Sequence, residues 1–437
     1  MITSSAQPTP VAPVAAATTA HAELPERVDV LIVGAGPAGC AAAITLAQAG
    51  REVLLIDQHD FPRDKTCGDG LIPDSLLALK QLGVLATVKN LATPVKGLIC
   101  HGPRGGRLEI PAELAVLPRK VLDNCLFERA QAVGARTLTQ VRFVAPVKDA
   151  SQRVIGARVQ RNDLTQEIRA NWTLLATGAT TTALQACGHC TQNRPSAMAL
   201  RAYVHNPSFV QENGRAIEHL HISWHKSYAP GYGWIFPCPD GIYNVGVGLY
   251  GFHETREPAR WGLRGVKSAK PNLATLFKRF TDSNPMAEQL MRTGTLLGEI
   301  KGAPLRCSLK GAKAAAPGLL VTGEALGSTY ALTGEGIGKA METGMLSARA
   351  LLGPNDSGAD DVGIISNYER LLATLEPKFA IYEQANKINR APWLIDLAIA
   401  RGNRSPRLVQ RMSRVLEEKA NPARLFTWRG AWKFLTQ

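Results

Sequence analysis

The sequence predicts an α/β fold in which a parallel sheet is assembled from separated segments, with an antiparallel, strand-rich domain inserted between them. Three observations support this prediction. A continuous apolar strand, a glycine-rich turn, an alanine-rich helix and a second strand follow one another from Arg27 to Asp57. The buried-strand pattern returns in "GLLVTGEALG", and a helix over about residues 335–352 follows it. Between these parts, about residues 191–311 contain alternating strand patterns.

These patterns divide the chain. The expected parts are a flexible tail at 1–26, a Rossmann-like nucleotide-binding domain from 27–95, 119–190 and 312–352, a β-rich substrate domain from 96–118 and 191–311, and a helical C-terminal region at 353–437. Within them we predict a helix at 119–133, strands at about 138–148, 153–160 and 166–176, and a helical stretch at 272–293.

Composition indicates the cellular location of the protein. The tail lacks the basic start and the apolar run of about 7–15 residues that a secretory signal needs. No stretch of the chain approaches the roughly 18 apolar residues of a membrane span. The eight cysteines are scattered through a chain of 437 residues, as is typical of reduced thiols. We therefore expect a cytoplasmic protein, with peripheral attachment to the inner face of a membrane left open.

The first strand and helix carry a nucleotide-binding motif. Its residues are Gly34, Gly36, Pro37, Ala38 and Gly39. Gly34 permits a tight turn, Gly36 lets the backbone approach a pyrophosphate, and Gly39 lets helix and strand pack closely. The helix N-terminus favours the anion. Asp57 ends the next strand, where a carboxylate can accept hydrogen bonds from a ribose.

Three later segments favour FAD over NAD. The strand "LLATGA" ends at Gly178, as in the second contact segment of many flavoproteins. Arg119 and Asp123 lie one helical turn apart, and such an arginine contacts the cofactor in related enzymes. In "LLVTGEALG", Gly323 precedes Glu324, whose carboxylate can hold a ribityl hydroxyl.

The third of these segments continues into "TGEGIG". Gly334, Gly336 and Ile337 open a helix whose first amides can face the flavin. Such amides favour negative charge on a reduced flavin. The order of the three segments predicts an FAD-binding protein.

On these motifs the chain resembles the geranylgeranyl reductase family of FAD-dependent oxidoreductases, in the fold group of aromatic hydroxylases and flavin-dependent halogenases. The resemblance covers about residues 28–352. It is carried by "FPRDKTCGDGLIPDSL", "PGYGWIFPCPDGIYNVGVG" and "LTGEGIGKAMETG". Thr66 stands where members of this family usually have proline, and Leu326 departs from their usual Gly-Asp-Ala-Ala.

The resemblance implies that three residues form the side of the site that faces the substrate, which we call the substrate side. Cys67 is expected beside the flavin, where its thiol lines the substrate cavity or donates a proton; a packing role is the alternative. Tyr232 and Trp234 are expected to line an apolar channel; packing in the hydrophobic core is the alternative. Tyr232 occupies the place of the first tryptophan in the halogenase pattern, which argues against halogenation.

The expected activity is reduction of C=C bonds in a long isoprenoid or other apolar substrate by hydride transfer from reduced flavin. The electron donor, NAD(P)H or reduced ferredoxin, is left open because a second dinucleotide motif is absent. The alternatives are an FAD-dependent monooxygenase or oxidase of a biosynthetic pathway, and a flavoprotein that modifies a partner protein. The sequence indicates no oligomeric state.

Charge points to acidic partners. The chain has 50 basic and 36 acidic residues, a net charge of +14. Much of this excess lies in residues 401–437, where basic residues alternate with Phe426, Trp428, Trp432 and Phe434. An interfacial helix on an anionic membrane has this composition, and so does a helix packed on its own domain. An acidic carrier protein also fits the charge, whereas no nucleic-acid motif accompanies it.

Two further patterns have weaker functional interpretations. Cys187 and Cys190 form a CxxC, but it follows the end of a helix, whereas a redox pair needs a helix N-terminus. His219, His221 and His225 share one face of an expected strand without a matching acid. We therefore predict no metal site.

Overall fold

The structure is a computed structural model that describes residues 23–214, 216–250, 272–353, 360–417 and 419. Its strands are β1 (Arg27–Val33), β2 (Val53–Ile56), β3 (Gly70–Leu71), β4 (Thr93–His101), β5 (Arg107–Val116), β6 (Arg136–Leu138), β7 (Arg142–Lys148), β8 (Val154–Arg161), β9 (Leu164–Leu175), β10 (Ala197–His205), β11 (Leu220–Ser223), β12 (Gly231–Pro237), β13 (Ile242–Tyr250), β14 (Thr295–Leu296), β15 (Lys301–Leu305), β16 (Ala315–Ala316) and β17 (Leu319–Val321). Its α-helices are α1 (Pro37–Gln48), α2 (Pro73–Gln81), α3 (Leu85–Leu91), α4 (Arg119–Ala132), α5 (Thr182–Ala186), α6 (Phe209–Asn213), α7 (Leu273–Ser283), α8 (Pro285–Thr293), α9 (Ile337–Leu352), α10 (Asp361–Ala373), α11 (Glu376–Ala385), α12 (Trp393–Gly402) and α13 (Pro406–Leu416).

The first sheet has a parallel centre in the order β17-β9-β1-β2-β6. β2 is fully buried, and most of β1 is buried, because helices cover both faces of such a sheet. Short β16 pairs antiparallel with β17 at the edge, and β7 and β8 add an antiparallel extension to β9. The predicted α/β class is confirmed.

The second sheet has the order β14-β10-β13-β12-β11-β4-β5-β3, and β15 also pairs with β10. It is antiparallel except where β11 runs parallel to β4. It takes residues 70–71 and 93–95 from the segment that the sequence division gave to the nucleotide-binding domain. The loop that contains Cys67 therefore runs from one sheet to the other.

Several observed elements differ from the predicted ones in their bounds, and two predicted elements are each split in two. The predicted helix at 119–133 is α4, and the helix at 335–352 is α9. The predicted strand at 138–148 is split into β6 and β7, because Gln140 has a positive φ of 57° between them. The predicted helical stretch at 272–293 is split into α7 and α8, where the Asn284 side chain caps α8 and Pro285 starts it.

Close contact between α1 and α9 holds the nucleotide-binding part together. A side chain at Gly344 would overlap the backbone of Ala38, so the two helices can approach only because this position lacks one. The predicted tail lies mostly in residues 1–22, outside the described residues, as do the C-terminal aromatic residues from 426 onwards.

The last helices cover one face of the second sheet. Gly402 of α12 packs directly on Leu108 of β5, and Ser413 of α13 donates a hydrogen bond to the carbonyl of Pro111 at 2.5 Å. Among the described helices, none combines the length and the apolar character needed to cross a bilayer.

Candidate active site

The turn between β1 and α1 has the geometry that the glycine motif predicts. Gly34 has a φ of +102°, and a side chain there would overlap the Ala176 carbonyl. A side chain at Gly39 would overlap the Gly34 carbonyl. α1 begins at Pro37 with Gly36 as an N-cap that makes no side-chain capping bond. The first turn of α1, with Pro37 and Ala38 buried, thus presents an uncapped helix N-terminus to an anion.

Asp57 lies directly after β2, as expected, and holds the glycine turn in place. Its carboxylate accepts a hydrogen bond from the Ala35 amide at 2.8 Å and another from the His59 amide at 2.9 Å. Close by, the buried Thr177 hydroxyl has no hydrogen-bond partner within the described part of the chain. Thr177 follows Ala176 and immediately precedes Gly178, which has a φ of +70°.

A buried charge cluster lies beside the glycine turn. Arg119 makes two hydrogen bonds to Asp123, at 2.6 and 2.8 Å, and Arg63 contacts the same carboxylate at 3.1 Å. Burial by itself lowers the pKa of Arg119, but the Asp123 carboxylate outweighs burial and raises this pKa above its usual range. Arg63 also lies 3.5 Å from the position of a side chain at Gly36. A guanidinium therefore faces the place where Gly36 is expected to let a pyrophosphate approach.

The segment after β17 contacts the start of α1 and the Cys67 loop. Gly323 has a φ of +68° and packs against Ala38, and its amide donates to the Thr343 hydroxyl at 3.1 Å. Glu324 accepts a hydrogen bond from Lys65 at 3.3 Å. This pair ties the Cys67 loop to the segment expected to bind the ribityl chain.

The turn before α9 meets the second sheet. Gly334 has a φ of +71°, and a side chain there would lie 3.0 Å from the Tyr232 hydroxyl. The Tyr232 hydroxyl donates to the carbonyl of Thr333 and lies 3.2 Å from the hydroxyl of Tyr250. Gly336 is the N-cap of α9 and Ile337 its first residue, without a side-chain capping bond. The predicted flavin-facing turn and the predicted channel wall are therefore in contact.

Cys67 lies in an irregular loop that the second sheet anchors. Arg201, which is 1% exposed, pairs with Asp64 at 2.7 Å, and Lys301 pairs with the same carboxylate at 2.9 Å. The backbone carbonyl of Cys67 accepts a hydrogen bond from Asn244 at 2.8 Å. Its thiol is half-buried and lies near the Arg119 side chain.

Tyr232 and Trp234 lie on β12 opposite two glycines of β13. Trp234 pairs with Gly246, and Tyr232 pairs with Gly248. A side chain at Gly246 would overlap the Trp234 ring, so this glycine makes room for the indole. Burial raises the pKa of the Tyr232 hydroxyl, which stays protonated.

Comparisons with known proteins agree with this geometry. Residues 27–231 match the family described as an FAD binding domain. The chain is 32% identical over 338 residues to the menaquinone reductase of Mycobacterium tuberculosis, covering 75% of this chain and 77% of that protein. The chain belongs to the geranylgeranyl reductase family of FAD-dependent oxidoreductases. It is also 28% identical to digeranylgeranylglycerophospholipid reductase 1 of Methanothermobacter thermautotrophicus, over 79% of this chain and 82% of that one.

Solved structures show the same fold. A geranylgeranyl bacteriochlorophyll reductase-like protein of Thermoplasma acidophilum superposes with a TM-score of 0.75 at 21% identity, over 94% of this chain and 99% of that one. A flavin-dependent brominase superposes with a TM-score of 0.71 at 18% identity, over 94% of this chain and 98% of that one. The predicted family and fold group are confirmed.

The residues present fit FAD. The fit rests on the close backbone approach at Gly34, the space beside Gly36 that faces Arg63, the uncapped start of α1 and the Thr177 hydroxyl, which has no hydrogen-bond partner among the described residues. The sequence did not indicate four residues that the structure places here. They are Arg63, Lys65, Asp69 and Asn244. Arg63 and Lys65 could have been noticed as cations next to Cys67, whereas Asp69 and Asn244 carry no local signal.

The weaker sequence patterns do not converge on a second site. Cys187 is at the C-terminal end of α5, and burial raises the pKa of its thiol to about 12, the opposite of what a redox thiol needs. His219 contacts Glu109, whereas His221 pairs with His101 at 3.0 Å. His225 instead caps a short turn through its contact with Ser227. Among the described residues, no group of three potential ligands could hold a metal ion.

Proposed function

We propose that this chain reduces C=C bonds in the isoprenoid part of a long apolar substrate. The observation that carries the proposal is the contact between the two halves of the site. Tyr232 on the second sheet hydrogen-bonds the turn that opens α9, and Cys67 lies between that sheet and Arg119. A substrate held against Tyr232 and Trp234 would therefore lie next to the flavin.

The surroundings of this wall suit a long apolar chain. We call the following residues the apolar layer: Leu108, Ile110, Trp224, Tyr232, Trp234, Ile395 and Ile399. This layer lies between the second sheet and the last helices, so it continues from the flavin side towards α12 and α13. Val409 of α13 packs against it.

An open cleft of about 440 Å³ borders the outer end of the apolar layer. Leu108, Pro111, Pro406 and Val409 are among its lining residues, and Leu108 belongs to both the cleft and the layer. We assign this cleft as the entry for the apolar substrate. Glu109, Asn403 and Gln410 also line this cleft, so the polar end of the substrate would stay at the outer surface.

Reduced FAD supplies the hydride when it is bound. Arg63, the α1 N-terminus and Glu324 would hold its pyrophosphate and ribityl parts. Tyr232 and Trp234 orient the double bond and exclude water. Cys67 lines the reacting end of the cavity and is the side chain proposed to deliver the proton, because the Tyr232 hydroxyl is held by Thr333 and its pKa is raised.

Two finer assignments belong to this proposal. NAD(P)H or reduced ferredoxin is the electron donor and visits transiently, since the sequence has a single dinucleotide motif. The enzyme works in the cytoplasm at an anionic membrane surface, where its substrate would reside. Supporting this, α13 exposes Arg407, Arg411 and Arg414 on one side, and Trp393 of α12 is 61% exposed.

The test is an anaerobic substrate panel. The flavin is reduced with dithionite, and geranylgeranyl diphosphate, a menaquinone or a geranylgeranylated lipid is added separately. We expect at least one of them to reoxidise the flavin and to gain two hydrogen atoms per bond. Reoxidation that occurs only when air is admitted would contradict the proposal and favour a monooxygenase or oxidase. Stable co-purification with one protein partner and no turnover would favour a modification factor.

A further inference from the structure

We propose that Asn244 and Asp69 form the positioning element of the substrate side, fixing the Cys67 loop at a set place relative to the Trp234 ring. The proposal rests on the proposed function, because it takes Cys67 and Trp234 as the residues that face the substrate. Asn244 lies on β13 and Asp69 lies in the loop before β3, and both side chains are completely buried.

Asn244 contacts both of these residues at once. Its side-chain oxygen accepts a hydrogen bond from the Trp234 indole at 2.8 Å. Its side-chain nitrogen donates to the Cys67 carbonyl at 2.8 Å and to the Asp69 carboxylate at 2.7 Å. A single amide on a rigid strand thus sets the indole and the loop in relation to each other.

The orientation of this amide follows from its partners. An indole N–H can only donate, so the Asn244 atom that meets Trp234 must be the oxygen. A carbonyl and a carboxylate oxygen accept, so the atom that meets Cys67 and Asp69 must be the nitrogen. A flipped amide would face a donor with a donor and two acceptors with an acceptor. The chemistry therefore allows one arrangement.

Asp69 also holds the Cys67 loop through further hydrogen bonds. Besides Asn244, its carboxylate accepts from the Tyr203 hydroxyl at 2.5 Å and from the Arg119 amide at 3.2 Å. Its φ is +65°, in the left-handed region that few non-glycine residues adopt. The flanking Gly68 and Gly70 lie against the Phe236 ring, where a side chain would come within 3.4 Å.

These side-chain contacts act on a loop that lacks regular secondary structure near the thiol, where the backbone adds a hydrogen bond from the Leu117 amide to the Asp69 carbonyl at 3.1 Å. Residues 63–69 form no strand or helix. Asp64 is held at the outer end by Arg201 and Lys301, and Lys65 by Glu324. Between Cys67 and Asp69, the loop is held by hydrogen bonds from Asn244, Tyr203 and the Arg119 amide.

The first test measures access to the thiol in the resting holoenzyme. Asn244→Ala should raise the rate of Cys67 alkylation by iodoacetamide about tenfold, since the loop loses two hydrogen bonds. Peptide mass analysis identifies the modified cysteine. The control is Asn206→Ala, because Asn206 is also buried, at 2% exposed, and its amide donates to Thr293 instead, at 2.7 Å. Unchanged Cys67 reactivity in Asn244→Ala, with a loss of stability equal to that of the control, would overturn the proposal.

A second pair of variants keeps the test decisive if Asn244→Ala does not fold. Asn244→Asp sets two carboxylates against each other, whereas Asp69→Asn combined with Asn244→Asp restores a donor and an acceptor between positions 69 and 244; in both variants the Cys67 carbonyl loses its donor. The double variant should protect Cys67 better than the single Asn244→Asp. Equal Cys67 reactivity in the single and the double variant would count against a positioning role for Asn244 and Asp69.

Measuring the activity of the Asn244→Ala variant tests the positioning role separately. In the anaerobic assay Asn244→Ala should slow alkene-dependent flavin oxidation about 100-fold, while reduction of the flavin by dithionite stays unchanged. Alkylation needs no substrate, so the two proposals fail separately. If the wild-type enzyme reduces no alkene, the proposed function fails and the alkylation result still decides the role of Asn244.

Discussion

The hydroxyl of Tyr232 donates a hydrogen bond to the backbone carbonyl of Thr333, and this contact joins the second sheet to the turn that opens α9. Tyr250 lies 3.2 Å from the same hydroxyl. The wall of the proposed substrate cavity is therefore fixed directly to the segment expected to face the flavin.

Gly36→Ala should abolish FAD binding without unfolding the protein. The nearest atom to an added side chain is the Arg63 guanidinium at 3.5 Å, which is ordinary contact, but the methyl would fill the approach to the pyrophosphate. Flavin content after purification and thermal unfolding of the apoprotein measure the two effects. Gly34→Ala is the matched variant and should destabilise the fold, because its φ is +102° and its side chain would overlap Ala176. Full flavin content in Gly36→Ala would refute the assignment.

Glu324→Gln should raise the dissociation constant for FAD about tenfold, because a charged acceptor for a ribityl hydroxyl becomes neutral and Lys65 loses its partner. Titration of the apoprotein, followed by flavin fluorescence, measures this. Glu383→Gln is the control, since it breaks the exposed pair with Lys310. Equal FAD affinity in the two variants would show that Glu324 does not contact the cofactor.

Gly246→Ala should destabilise the protein by about 1–3 kcal/mol, because the added methyl overlaps the Trp234 ring and must displace it. Gly248→Ala, two residues along the same strand, should change little, as its nearest neighbour is a Tyr250 ring atom at 3.5 Å. Urea unfolding measures the loss of stability, and the tryptophan emission spectrum reports the displacement of the Trp234 ring. If both variants behave alike, Trp234 is not packed as described.

The stability of the wild-type protein should carry a pH dependence that Asp69→Asn removes. Burial raises the pKa of Asp69 from 3.8 to about 6, so between these values the folded chain keeps a proton that the unfolded chain has lost. The stabilisation by protonated Asp69 is complete below about pH 4 and is lost as the pH rises through about 6.

This shift corresponds to about 3 kcal/mol. The free energy of unfolding of the wild type, minus that of Asp69→Asn, should therefore fall by roughly this amount between pH 4 and pH 7. Urea titrations at several pH values give both curves. Parallel curves would mean that Asp69 has an ordinary pKa.

Cys67→Ser should slow alkene-dependent flavin oxidation about 100-fold if the thiol delivers the proton, with FAD content unchanged. Cys100→Ser is the control: Cys100 is another half-buried thiol on the second sheet, and burial raises its pKa to about 12. A Cys67 variant that changes only the Michaelis constant would assign the residue to cavity lining alone.

Local sequence signals predicted much of the nucleotide-binding part. The continuous apolar run of β1 and the glycines after it indicated a buried parallel strand and a phosphate-binding turn, because each feature depends on neighbouring residues. The break between α7 and α8 was missed, although Asn284 and Pro285 together are a local helix-start signal.

The internal links of the substrate side could not be predicted in this way. Asn244 lies 177 positions from Cys67 in the chain, and only the tertiary fold brings the Cys67 loop against β13. Asp69 resembled a loop carboxylate in a glycine-rich segment, yet it is completely buried and accepts three hydrogen bonds. Tertiary contact decides both roles.

The most direct test of the proposed reaction is an anaerobic single turnover in D₂O. The dithionite-reduced enzyme is mixed with a geranylgeranylated substrate, and the product is analysed by mass while flavin absorbance is followed. Addition of two deuterium atoms per double bond, in step with flavin oxidation, is the predicted result, since both the hydride of reduced flavin and the delivered proton exchange with solvent. An unchanged substrate, with flavin that oxidises only on exposure to air, would contradict the account.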